Sequence, residues 1–82
     1  MKIIAGNWKM NGTREMLKNM LNALRDVATK NRVILCVPHT LLNTESDTAS
    51  IGAQDVSTHD HGAYTGEISA TMLRDAGAKY VI

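Results

Sequence analysis

Apolar residues recur along the chain in two alternating rhythms, short β-prone runs and longer stretches of helical spacing. Together they predict three strand-helix units followed by a fourth strand. In the first run, Ile3 and Ile4 suit a buried strand; beyond it Asn7, Lys9 and Asn11 alternate with Trp8 and Met10. On an extended chain the polar side chains of that stretch share one side. Thr13 then caps a helix predicted over residues 13–30, whose Met16, Leu17, Met20, Leu21, Leu24, Val27 and Ala28 form a stripe facing a sheet. Glu15 suits its positive N-terminal end and Lys30 its last turn. Arg32-Val33-Ile34-Leu35-Cys36-Val37, stopped by Pro38, reads as a strand buried on both faces, the kind found in parallel sheets. Ala49-Ser50-Ile51-Gly52-Ala53-Gln54 is the next strand. Ser69 caps a second helix through Met72, Leu73 and Ala76 that stops at Gly77, and Lys79-Tyr80-Val81-Ile82 opens the last strand.

Two stretches interrupt this rhythm. Residues 39–48 are rich in Asn, Thr, Ser and Asp, with Leu41 and Leu42 as the only apolar pair, so one or two turns are expected where a full helix would stand. Residues 56–64 carry no periodicity and read as a long exposed loop, and long loops in compact domains are usually functional. The strand spacing carries the same message. The steps from Ile3 to Val33 and from Ile51 to Tyr80 match the ~31 residues per unit implied by eight βα units in ~250 residues. The step from Val33 to Ile51 is eighteen residues, close to the minimum of about a dozen that a parallel crossover needs. A portion of a (βα)8 barrel and a small doubly wound sheet both satisfy this pattern; the missing G-x-G-x-x-G after the first strand weakens the dinucleotide-binding form of the latter.

Composition narrows the chemistry. Eighty-two residues make one small domain at most, whose core is barely sufficient alone, which already points to a partner or a missing remainder. Nine Lys and Arg against eight Asp and Glu, scattered along the chain, point to neither nucleic acid nor an anionic membrane. The lone Cys36 lies in an apolar run, excludes an intrachain disulfide and fits a reducing compartment. With no apolar stretch approaching ~18 residues and no signal-peptide pattern, the chain is expected to be soluble and cytoplasmic.

Asn7 and Lys9, an amide and a cation where a strand leaves a sheet, form the first candidate site, suited to an anion or a polarised oxygen. His59-Asp60-His61 holds ligand-type residues, but an exposed loop without a further ligand cluster does not make a metal site. The methionines at helical spacing read as core, Trp8 and Tyr64 as packing residues, and His39 as a turn residue.

Three strings carry a resemblance to a known family. Ala5-Gly6-Asn7-Trp8-Lys9-Met10-Asn11-Gly12, Gly52-Ala53-Gln54-Asp55-Val56-Ser57 and Gly62-Ala63-Tyr64-Thr65-Gly66-Glu67-Ile68-Ser69 resemble, in order, signature segments of the triosephosphate isomerases. Met72-Leu73-Arg74-Asp75-Ala76-Gly77-Ala78-Lys79-Tyr80-Val81-Ile82 resembles the segment that follows. The resemblance spans all but residues 39–48, yet covers only about the first third of the family's barrel. The Gly-His-Ser-Glu-Arg-Arg motif that follows the last strand in the family is absent.

The resemblance implies an α/β fold: residues 1–82 as a (βα)3β portion of a TIM barrel, its second helix shortened around 39–48, completed by another chain. It implies interconversion of dihydroxyacetone phosphate and glyceraldehyde 3-phosphate with no cofactor and no metal. Asn7 and Lys9 become the substrate-contacting, catalytic pair. Gln54, Tyr64, Thr65, Gly66 and Glu67 become interface residues, with Thr65 at the tip of a loop that enters a second subunit. The family's histidine electrophile, glutamate base, closing lid and phosphate loops lie outside these residues, so a complementary C-terminal chain is expected and the chain alone should be inactive. Asp55 stands where the family more often has asparagine. The rival expectations are a non-catalytic barrel fragment, self-assembling or merely truncated, and a small phosphate-binding module using Lys9.

Overall fold

The computed structural model describes residues 1–27 and 30–82. Four strands, β1 (Ile3–Asn7), β2 (Arg32–Cys36), β3 (Ser50–Ala53) and β4 (Tyr80–Val81), form one wholly parallel sheet in the order β1-β2-β3-β4. Helix α1 (Arg14–Arg25) joins the first two strands and α2 (Ala70–Asp75) the last two. Between β2 and β3 the crossover is reduced to a 3₁₀ turn at His39–Leu41, as the composition of that segment requires.

Both helices begin where a hydroxyl can satisfy a free backbone N–H. The Thr13 hydroxyl accepts from Met16 N–H at 3.2 Å, and Ser69 accepts from Met72 N–H at 3.1 Å. Gly77, at φ +103°, follows the Ala76 cap of α2, a conformation that costs glycine little. The first helix is shorter than its apolar pattern predicts. It ends at Arg25, with Asp26 as the cap, and the expectation for Ala28 lies outside the described residues.

The pleat sorts the sheet residues onto two faces. Leu35, Val37, Ile51 and Ala53 face the helices and pack with Leu17, Leu21, Leu41, Leu42 and Leu73 into one buried cluster. Ile34, Cys36 and Gly52 lie on the opposite face; a Cβ at Gly52 would stand 3.0 Å from the Cys36 sulfur and 3.3 Å from Ile34. On that face the Arg32 guanidinium donates to the Tyr80 hydroxyl, linking β2 to β4 over β3. In place of a helix, Leu41 and Leu42 cover β2 and β3, and the exposed Arg25–Asp47 pair, at 3.1 Å, ties the end of α1 to the short connection.

Two expectations of burial fail. Ile3 and Ile4 of β1 are exposed, because β1 is an edge strand paired only with β2. In α1, Leu17 and Leu21 are buried and Leu24 half-buried, but Met16, Met20 and Val27 are exposed. The apolar stripe is wider than this sheet can cover.

Candidate active site

The carboxyl ends of parallel strands are where α/β folds place functional groups, and Asn7 ends β1 while Gln54 directly follows β3. The ladders set Asn7 opposite Cys36 and Cys36 opposite Gly52, so Asn7 shares their face. The chain does not remain extended beyond it. Lys9 adopts φ +55°, a left-handed conformation and the only positive φ of a non-glycine among the described residues. The alternation that predicts Asn7 and Lys9 side by side on a straight strand is therefore replaced by a turn in which the Asn7 side chain bonds the Lys9 backbone.

Three hydrogen bonds hold that turn. Asn7 Oδ1 accepts from Lys9 N–H at 2.8 Å, an Asx-type bond over two residues. Gln54 Nε2 donates to Lys9 C=O at 2.9 Å and to Cys36 C=O at 3.0 Å. Trp8 N–H donates to the same Cys36 carbonyl, filling both its lone pairs. Both polar groups of the Lys9 backbone are thereby engaged, which offsets the ~1–2 kcal/mol that a left-handed conformation costs a side-chain-bearing residue. Asn11 Nδ2 donates to Trp8 C=O at 3.1 Å, and the Trp8 ring packs against the core over Gly12.

These contacts decide what the pair can offer a ligand. The backbone donor fixes the Asn7 amide orientation, so its oxygen is occupied and its NH2 remains as donor. The Lys9 side chain is exposed, and the only ion pair among the described residues is Arg25–Asp47. One amide donor and one ammonium, set on a fixed turn, suit an oxyanion or phosphate oxygen.

The third crossover forms a closed loop. Ser57 N–H donates to Ile68 C=O at 2.8 Å and its hydroxyl to Glu67 Oε1 at 2.6 Å, joining the loop's two ends. At its tip, Glu67 N–H donates to Tyr64 C=O at 3.0 Å across a four-residue turn with Gly66 at φ +90°. Thr65 stands exposed in that turn, and His59 stacks on Tyr64 with ring centroids 3.8 Å apart. Among the described residues no three His, Cys, Asp or Glu side chains converge as metal ligands. Cys36 is buried, and desolvation raises its thiol above the ordinary value.

The resemblance alone assigns Gln54 to the interface residues, and nothing in the local sequence signals its bonds to Lys9 and Cys36. Those bonds join residues 45 and 18 positions apart, beyond the reach of local pattern. The Asx spacing of Asn7 and Lys9 was the one local cue to the turn.

A curled sheet of parallel strands with polar groups at the strands' carboxyl ends is a portion of a TIM-barrel enzyme. The family model described as triosephosphate isomerase matches residues 2–82, and the chain belongs to that family of isomerases. It is 46% identical over 85 residues to the triosephosphate isomerase of Halorhodospira halophila, covering 99% of this chain and 34% of that protein. It is 49% identical over 85 residues to that of Ruegeria sp., covering 99% and 35%. The crystal structure of the Bartonella henselae triosephosphate isomerase superposes with a TM-score of 0.85 at 40% identity, over 96% of this chain and 35% of that one. The chain thus spans about a third of the length of its relatives.

Proposed function

We propose that this chain supplies the electrostatic part of an isomerase site for triose phosphates, and that a complementary C-terminal chain supplies the acid-base part. The observation that carries this reading is the Lys9 turn, a strained backbone braced from β1 and β3 beside a spare amide donor in a chain of this family. The Lys9 ammonium would meet the substrate phosphate and the charge that grows on the enediolate oxygen, and the Asn7 NH2 would donate to a substrate oxygen. Fixed donors aimed at developing charge act without reorganisation during the reaction. Proton abstraction from carbon requires a base from the complementary chain. No cofactor or metal is assigned.

In the completed barrel the loop around Thr65 is assigned to a subunit interface, with Tyr64, Gly66 and Glu67 shaping its tip and Gln54 at its base. The assembly is then a dimer of completed barrels acting in the cytoplasm.

The test mixes this chain with a family segment that begins at Gly-His-Ser-Glu-Arg-Arg and measures interconversion of the two triose phosphates. Turnover is expected from the mixture and from neither chain alone. Lys9→Ala should lower turnover by ~100-fold or more while the complex still forms. A stoichiometric complex without turnover rejects the proposal.

A further inference from the structure

We propose that His59 is a positioning residue for the Thr65 tip: its ring clamps Tyr64 and, through Tyr64, holds the third crossover loop in its presenting shape before any partner arrives. The purpose of the clamp rests on the reading of that loop as a subunit interface; its geometry does not. The sequence singles out His59-Asp60-His61, and no set of metal ligands converges there among the described residues. The stack on Tyr64 gives His59 a different use.

Contacts within the loop form a closed circuit. Ser57 Oγ donates to Glu67 Oε1 at 2.6 Å and accepts from His59 N–H at 3.0 Å. Glu67 N–H donates to Tyr64 C=O at 3.0 Å. The fourth link is the stack, with ring centroids 3.8 Å apart and 3° between the planes, which is face-on van der Waals contact. Ser57 thus holds Glu67, Glu67 holds Tyr64, Tyr64 meets His59, and His59 returns to Ser57. Thr65 and Gly66 lie between the two residues that close the turn.

One feature of the chain lets the rings meet, and another makes their meeting decisive. Gly62 adopts φ +134°, and a Cβ there would stand 2.8 Å from Tyr64 Cε2, so its bare backbone lies against the phenol ring while the chain doubles back toward His59. Between the loop's two ends, the Tyr64–Glu67 bond is the only backbone pairing among the described residues. Order in residues 58–64 therefore depends on the stack. A segment already in its bound shape loses less conformational freedom on association, which suits an element that enters a second subunit.

Proton NMR on the purified chain reads the clamp directly. The Tyr64 ring resonances should lie upfield under the imidazole, with Tyr80, the other tyrosine, as internal reference. His59→Ala should abolish that shift and speed exchange of Glu67 N–H by roughly 2- to 12-fold, the factor an aromatic pair supplies. His59→Asn, polar but without a ring, should match alanine, and His59→Phe should restore both signals. The urea midpoint followed at Trp8 should be the same for all four chains, since His59 is exposed and outside the core cluster. An unshifted Tyr64 in the parent chain, Glu67 exchange unchanged in His59→Ala, or a phenylalanine variant as loose as alanine would each overturn the proposal. In the mixture with the complementary segment, the dimer Kd should rise by at least the same factor for His59→Ala and stay level for His59→Phe. A loosened loop with an unchanged Kd would overturn the positioning role. A mixture that shows no turnover rejects the proposed function instead, and the NMR measurements on the chain alone still decide the clamp.

Discussion

Replacing Gln54 by glutamate keeps the shape of the side chain and removes both hydrogens that hold the Lys9 turn. The amide donates at 2.9 Å to Lys9 C=O and at 3.0 Å to Cys36 C=O. A carboxylate can only accept, and it would face two carbonyl oxygens. The Cys36 carbonyl keeps its bond from Trp8 N–H, and the Lys9 carbonyl is on an exposed residue open to water, so neither loss reaches the cost of a fully orphaned buried group. Two neutral bonds at about 0.5–1 kcal/mol each, the lower part of the usual range because both carbonyls keep another partner or water, give an expected destabilisation of about 1–2 kcal/mol. With a urea slope of about 1–1.5 kcal/mol/M for a chain this small, the midpoint should fall by about 1 M. Trp8, the only tryptophan, adjoins the turn and reports unfolding by fluorescence, at one fixed protein concentration so that association does not move the midpoint. An unchanged midpoint would mean that the Gln54 amide does not hold the turn, and the account of how Lys9 is positioned would be wrong.

Two further outcomes follow from local geometry. Gly12→Ala combines φ +121° with a Cβ placed 2.6 Å and 2.8 Å from two ring carbons of Trp8; a loss of about 2–4 kcal/mol is expected in urea titration, summing backbone strain and overpacking, and a loss under 1 kcal/mol would show that the indole yields freely. Burial raises the Cys36 thiol above its ordinary value, so in the native chain it should resist alkylation at pH 8 and react only in urea; equal rates in both states would contradict its placement beneath the sheet.

Local rules recovered most of the elements because most are set locally. The hydroxyls of Thr13 and Ser69 cap helices at the expected places, Gly77 follows α2, and the four β-prone runs each contain a strand. What local rules missed depends on distant groups. The edge position of β1 exposes Ile3 and Ile4, and the limited width of the sheet leaves Met16 and Met20 uncovered, although their spacing is that of core residues. At the site, strand alternation predicts Asn7 and Lys9 side by side on a straight strand, whereas the chain turns at Lys9, because Gln54 holds the Lys9 backbone from the end of β3.

The shortened crossover bears on the order in which the sheet assembles. Partners in β2 and β3 are separated by 16 residues, as Ile34 and Ser50 are, whereas Ile3 and Arg32, or Gly52 and Tyr80, are 29 and 28 apart. Chain closure over the shorter span costs about 0.5 kcal/mol less entropy, and Leu41 and Leu42 stand ready to cover the pair without waiting for a helix. Assembly should begin at the centre of the sheet and spread outward, so β1 and β4 join last. The outermost strands of this sheet are thus the most recently ordered, and the Lys9 turn, which needs both β1 and the end of β3, is set only when β1 has joined.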